Sequence, residues 1–232
     1  MQLLRKSALT LFVLIPVLAL GGCQKGDSPQ PAAAVSGSGG EKAAIQAAAA
    51  TAAPPLKSDQ DPQHPIYEFV TSHGRFVVRL DAEKAKLTVD NFRSYVARGF
   101  YDLTIFHQIV KSPVQIVLGG GYTADLKEKT PFTPIRNEAH NGLKNRRGTI
   151  GMARRGNDED SATCQFFINI ADNDALNYKS RSPEGYGYCV FGEVTEGMDV
   201  LDQIAKLPVH KTDKFVDLPV ETVVIKSIRQ IK

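Results

Sequence analysis

The side chains able to carry chemistry in this chain are few and widely spaced. Five histidines, His64, His73, His107, His140 and His210, form no HxH or HExxH pair, and the three cysteines, Cys23, Cys164 and Cys189, form no CxxC. The local spacing of a metal site is therefore absent, and neither metal nor cofactor is expected. No nucleophile elbow is present. The triple glycine Gly119 to Gly121 follows an apolar run but opens no helix, so the context of a phosphate cradle is missing. What stands out is TIFHQIVKSPVQIVLGGGY, residues 104–122, in which Gln108 and Gln115 sit among apolar neighbours. A glutamine there brings an amide that both donates and accepts hydrogen bonds, and no charge.

The elements that must position these residues are mostly strands. From about Pro65 the sequence breaks into short β-rich runs bounded by turn signals, at 66–71, 75–81, 104–110, 114–118, 148–153, 165–170, 188–194 and 221–231. TSHGRF makes the first hairpin, and Gly119 to Gly121 read as a turn after the fourth run. Two segments have helical spacing. Thr88 is placed to cap a helix whose face is Val89, Phe92 and Val96, and Met198, Leu201, Ile204 and Ala205 form a second apolar face before Pro208. Eight strands and two amphipathic helices predict a closed eight-stranded antiparallel β-barrel capped by two α-helices, because closure leaves no exposed sheet edge. The connections 119–148, 154–163 and 171–187 read as long solvated loops.

With 232 residues, 42% hydrophobic and 23% charged, the chain can bury one sizeable core. Its formal charge is +3, but Arg5 and Lys6 fall in the leader, and without them 26 basic residues face 25 acidic ones. That balance offers no footprint for nucleic acid. MQLLRKS is a short basic head and ALTLFVLIPVLAL an apolar run of 13 residues, too short to span a bilayer. The following LGGC, Leu20 to Cys23, resembles the lipobox of bacterial lipoproteins, which implies lipidation of Cys23. The expected organisation is a signal peptide over 1–22, a lipidated cysteine and disordered Ala/Pro/Gly-rich tether over 23–63, and a folded domain over 64–232. A flexible segment of that length has a typical end-to-end distance of roughly 35 Å. The expected location is the bacterial cell envelope, on the periplasmic face of the outer membrane. Whether Cys164 and Cys189 pair is left open, because geometry controls bonding.

Four strings decide the family reading: NFRSYVARGFYDLTIFH, RGTIGMARR, DSATCQFFINIADNDAL and GYCVFGEVTEGMDVLDQI. In this order they resemble the cyclophilin family of peptidyl-prolyl cis-trans isomerases over essentially residues 66–231. The resemblance implies a groove on the outer wall of the barrel that holds a proline-containing polypeptide. It assigns Phe167 to the proline pocket, Gln165 to hydrogen bonding of the substrate backbone, and Leu176 and Tyr188 to the pocket wall. Phe106 and Met152 are expected to add apolar surface. Ala153 and Arg154 fall where the family presents backbone groups to the peptide, and His107 matches the histidine beside the catalytic residue. The departures lie in the opening stretch. Where the family usually reads FHRxIPxFMxQGG, this chain reads FHQIVKSPVQIVLGG, two residues longer. Gln108 replaces the catalytic arginine, Leu118 replaces a substrate-binding glutamine, and Gln115 and Ile116 stand for the Phe-Met pair. The expectation is a monomeric isomerase of reduced turnover that assists folding of exported proteins. The alternative is a catalytically silent, envelope-tethered module that binds proline-containing segments.

Overall fold

The computed structural model describes residues 61–156 and 158–232; the leader, Cys23 and the tether up to residue 60 lie outside the described residues. Its elements are β1 (Ile66–Thr71), β2 (Gly74–Leu80), α1 (Lys86–Ala97), β3 (Thr104–Val110), β4 (Ile116–Thr123), β5 (Thr149–Met152), β6 (Phe166–Asn169), β7 (Val190–Glu196), α2 (Met198–Lys206), β8 (Val209–His210), β9 (Leu218–Pro219) and β10 (Val223–Gln230). Eight strands close a barrel in the order β1-β10-β3-β4-β6-β5-β7-β2, and β8 and β9 form a separate small pair that the sequence reading did not anticipate. Every neighbouring pair in the barrel is antiparallel.

Alternation builds the interior. Tyr67 and Phe69 on β1, Phe76, Val78 and Leu80 on β2, and Phe166 and Ile168 on β6 share one buried cluster, as residues two apart on a pleated strand must. Helix α1 turns Val89, Phe92 and Tyr95 into it, and α2 adds Leu201 and Ile204. Phe92 lies at the centre, with ring centroids 5.2 Å from Tyr101, 5.6 Å from Phe191 and 5.9 Å from Phe166. Such offset and edge contacts add to the area these rings bury.

Two local expectations are corrected. Thr88 does not cap α1, because the helix already begins at Lys86 with Ala85 as its flanking residue. The cap comes instead from Glu138 in the long loop. Its carboxylate accepts the N–H of Leu87 at 3.1 Å and the N–H and hydroxyl of Thr88 at 2.8 and 2.7 Å, meeting donors that a helix start leaves open. The triple glycine is strand and not turn, since β4 continues through it to Thr123. Glycine is required because neighbouring side chains lie across this backbone. Gly120 has φ +88°, and a Cβ there would meet the Phe166 ring at 2.8 Å and the Tyr101 ring at 3.0 Å.

Gly120→Ala is therefore expected to cost about 2 kcal/mol or more, from the strained backbone and two fully buried rings that would have to move. Urea denaturation measures it, and a loss below about 0.5 kcal/mol, the usual range for surface changes, would show that the strand yields there.

Candidate active site

One irregularity in β3 decides what faces outward. Phe106 pairs with Gly119 on β4, and Gln108 pairs with the adjacent Leu118, so His107 is an extra residue against the partner strand. Such a bulge breaks the period of two. Phe106 points into the barrel, fully buried with its ring 6.1 Å from Phe166. Ile109 also joins the interior, whereas Val110 and Leu118 join a second cluster on the outer wall. Gln108, one residue before Ile109 and opposite Leu118, consequently lies on the outer face, half-buried. This corrects the expectation that Phe106 adds apolar surface to the groove, because the bulge turns it into the barrel. Met152 is corrected for the simpler reason of alternation: it pairs with Phe166 and packs in the interior.

The outer-wall cluster contains Val114, Ile116, Leu118, Phe167 and Leu176, flanked by Val110, Ala153 and Tyr188. Phe167 sits between Leu118 on β4 and Gly151 on β5. A Cβ on Gly151 would collide with the Phe167 ring, so this glycine lets the ring lie down against the sheet. Tyr188 meets the same ring edge-on at 5.9 Å. Six of the residues singled out from the sequence, Ile116, Leu118, Ala153, Phe167, Leu176 and Tyr188, are thus brought together. Val114 was missed, although its signal was available: it lies two residues before Ile116 and shares its face. Gln115, between them, is exposed and does not stand in the pocket.

The polar groups divide sharply. Gln165 is half-buried, and its side chain lies across Gly121, where a Cβ would fall 2.7 Å from Gln165 Cγ. Behind it is His107, whose ring is enclosed by Tyr122 and Phe215 at centroid distances of 4.7 and 5.4 Å. His107 is 2% exposed and cannot touch a substrate, which corrects its placement among the catalytic residues. Its Nδ1 and the Gln165 Oε1 are both buried without a hydrogen-bond partner. Burial pushes the His107 imidazole down to about 4, while the Ile105 backbone and the Gln165 amide pull the other way; no bond of ordinary geometry joins ring and amide.

Cations are close to the groove but engaged elsewhere. The Arg154 side chain is buried. Its guanidinium donates to the carbonyls of Gly187, Arg155, Gly156 and Pro183 at 2.8 to 3.2 Å and lies 4.8 Å over the Tyr188 ring. Lys111 donates to the Leu207 carbonyl at 2.8 Å, at the C-terminal end of α2. Gln108 makes no side-chain hydrogen bond among the described residues.

One cavity of about 370 Å³ is lined by His64, Asp81 and Gly192 among others, and another of about 480 Å³ by Gln115, Ile170 and Lys206 among others. Only the second reaches the cluster, at Val110. In the first region, potential ligand atoms of His64, Asp81 and Glu83 come within 4.8 Å of one another, a grouping that sequence spacing could not reveal. His64 and Asp81 are already engaged, by Asp61 at 2.8 Å and by the Lys84 N–H at 2.9 Å. Cys164 and Cys189 are free, buried thiols, pushed up by burial to about 11 and about 12.

The closed barrel, its strand order and its helices are those of the cyclophilin fold. A solved cyclophilin type peptidyl-prolyl cis-trans isomerase of Cryptosporidium parvum matches with a TM-score of 0.58 at 23% identity, covering 73% of this chain and 98% of that one. Residues 66–230 match the family "Cyclophilin type peptidyl-prolyl cis-trans isomerase/CLD", and the chain belongs to it. Among its relatives are peptidyl-prolyl cis-trans isomerase cyp18 of Streptomyces antibioticus, 48% identical with 70% of this chain and 96% of that protein covered, and peptidyl-prolyl cis-trans isomerase B of Escherichia coli, 46% identical with 69% and 96% covered.

His107 carries a pH prediction. Its folded value of about 4 lies below the ordinary 6.5, so the unfolded chain takes up the proton first as pH falls. The stability held by the neutral ring is complete above pH 6.5 and is lost between 6.5 and 4, amounting to roughly 3 kcal/mol. Denaturant titrations of the parent and His107→Gln across that range measure it; equal pH slopes would show that the ring is not buried neutral.

Proposed function

We propose that this chain is an attenuated cyclophilin, tethered at the bacterial cell envelope through a lipid on Cys23 and isomerising X-Pro bonds in exported polypeptides. Family membership supports the reaction. The apolar cluster around Phe167 supports the substrate class, since a proline ring needs an apolar socket of this kind. The Cryptosporidium parvum relative has also been solved in the presence of the dipeptide Ala-Pro.

The reaction asks for little covalent chemistry. Amide resonance sets a barrier of about 18–20 kcal/mol to rotation about the X-Pro bond. A catalyst lowers it by holding the ring, holding the flanking backbone, and offering a donor that binds the twisted amide better than the planar one. Gln165, beside the cluster, suits the backbone contact. The observation that carries the attenuation is Gln108, on the outer face beside Leu118, where the family's pattern has an arginine. An amide lacks the charge and the five-donor fork of a guanidinium. Charged hydrogen bonds are worth about 1.5–3 kcal/mol net and neutral ones about 0.5–1.5, so a deficit of one to two orders of magnitude in rate follows. Neither Lys111 nor Arg154 supplies the missing charge, because both are held by backbone carbonyls.

Gln108→Arg is expected to raise kcat/KM on a proline tetrapeptide about tenfold, short of full recovery because Leu118 leaves the facing wall apolar. Gln108→Ala is expected to lower it. A parent as fast as arginine-bearing members, with Gln108→Ala unchanged, would refute the role given to this position. If proline peptides bind but no variant exceeds a heat-inactivated control, the chain is a binding module.

The anchor rests on LALGGC at the end of the apolar run. Three acyl chains, as the lipoprotein resemblance implies, hold a protein durably where one is marginal. With no aspartate after Cys23, that resemblance favours the outer membrane. Cys23→Ser should move the expressed protein from the detergent phase to the aqueous phase; a variant still in the membrane fraction would count against lipidation.

A further inference from the structure

Beneath the groove runs a chain of buried amides that touches both of its walls. Asn173 reaches Gln115 with both ends of its side chain: Oδ1 accepts the Gln115 N–H at 2.9 Å, and Nδ2 donates to the Gln115 carbonyl at 3.0 Å. The arrangement copies one rung of a β-ladder. Gln115 itself is exposed, but its neighbours Val114 and Ile116 both point into the Phe167 cluster. Nδ2 of Asn173 also donates to Asn169 Oδ1 at 2.7 Å, and Asn169 Nδ2 donates to Thr149 Oγ1 at 2.9 Å and to Asn145 Oδ1 at 3.2 Å. Asn145 Nδ2 then donates to the carbonyls of Leu176 and Tyr188 at 3.1 and 3.3 Å. The chain therefore begins at one wall and ends on the two residues of the other.

We infer that Asn173, Asn169 and Asn145 set the width of the proline pocket, with Asn173 as the positioning residue that holds the Val114–Ile116 wall at its distance from Leu176 and Tyr188. The inference rests on reading the Phe167 cluster as that pocket. All three asparagines are 5% exposed or less, so a shift of either wall would strand a buried donor or acceptor where water cannot replace its partner. The need for such a tie is local. Residues 111–113 of the turn before Gln115 are exposed, and this turn is longer by two than the family pattern; besides Asn173, only the Ile170 N–H, donating to the Gln115 carbonyl at 2.9 Å, ties the Gln115 backbone among the described residues. The apolar cluster alone specifies that Val114 and Ile116 be buried; directional bonds to the intervening residue specify where.

The test compares Asn173→Ala and Asn173→Asp with the parent chain, and with Phe69→Leu as a control that loosens the barrel interior. Asn173→Asp keeps an oxygen for the Gln115 N–H and loses the donor, so it serves if the alanine variant does not fold. Thermal melting fixes a temperature at which all are folded. KM and kcat on a proline tetrapeptide, and Kd by calorimetry, are then measured. Both asparagine variants are expected to raise KM and Kd about five- to tenfold with kcat changed less than twofold, while Phe69→Leu leaves KM and Kd unmoved. KM and Kd within twofold of the parent, with only melting lowered, would overturn the inference and leave the asparagines a purely structural role. A parent that binds no proline peptide would instead defeat the reading of the groove itself, a distinct result from one in which parent and variants bind alike.

Discussion

The bulge at His107 is the constraint from which the site follows. It places two consecutive residues, His107 and Gln108, on the outside of the wall, and returns Phe106 and Ile109 to the inside. Without it, Phe106 would lie on the same face as Gln108 and Val110, since residues two apart on a regular strand point the same way. The interior would lose a ring packed on Phe166, and the outer wall would gain a large aromatic beside Leu118. Both the barrel's filling and the groove's openness depend on that one unpaired residue.

The outer wall separates gripping from polarising. Its apolar members and the flattened Phe167 ring form one cluster, which the proposed function makes the seat of a small ring, and the barrel fixes them from several strands at once. The face that would polarise the amide is poorer, with Gln108 and Leu118 opposite one another and the nearby guanidinium of Arg154 spent on a loop. Contact that is equal in the planar and twisted forms aids binding and leaves the barrier where it was. Under the function proposed above, this combination would keep recognition and weaken turnover, a division that a description of the fold alone would miss.

How much of this was legible in the sequence depends on whether the cause was local. The strands could be placed because alternation is written in consecutive residues, and Phe167, Leu176 and Tyr188, grouped because QFFIN and its neighbours match a family pattern, do pack in one cluster. Phe106 was misjudged because a bulge is decided by the partner strand and leaves no mark in TIFHQIV. The triple glycine was taken for a turn because glycine most often relieves the backbone, whereas here it makes room for Phe166, Tyr101 and Gln165. Asn145 and Asn173 look like ordinary loop residues, and Asn169 like the end of a strand, until the fold brings positions 115, 145, 169 and 173 together.

The cap of α1 has a consequence for the order in which the chain assembles. Glu138 follows Leu87 by 51 residues and Thr88 by 50, and no local side chain serves in its place. A polypeptide emerging N-terminus first therefore exposes this helix, with Phe92 at the heart of the barrel, well before its terminating carboxylate has been synthesised. Isolated helices of 12 residues are marginal in water, so α1 gains permanence only when β3, β4 and the following loop have closed over it. Nucleation is thus deferred to a long-range event, and the early third of the domain stays unfinished until its middle arrives.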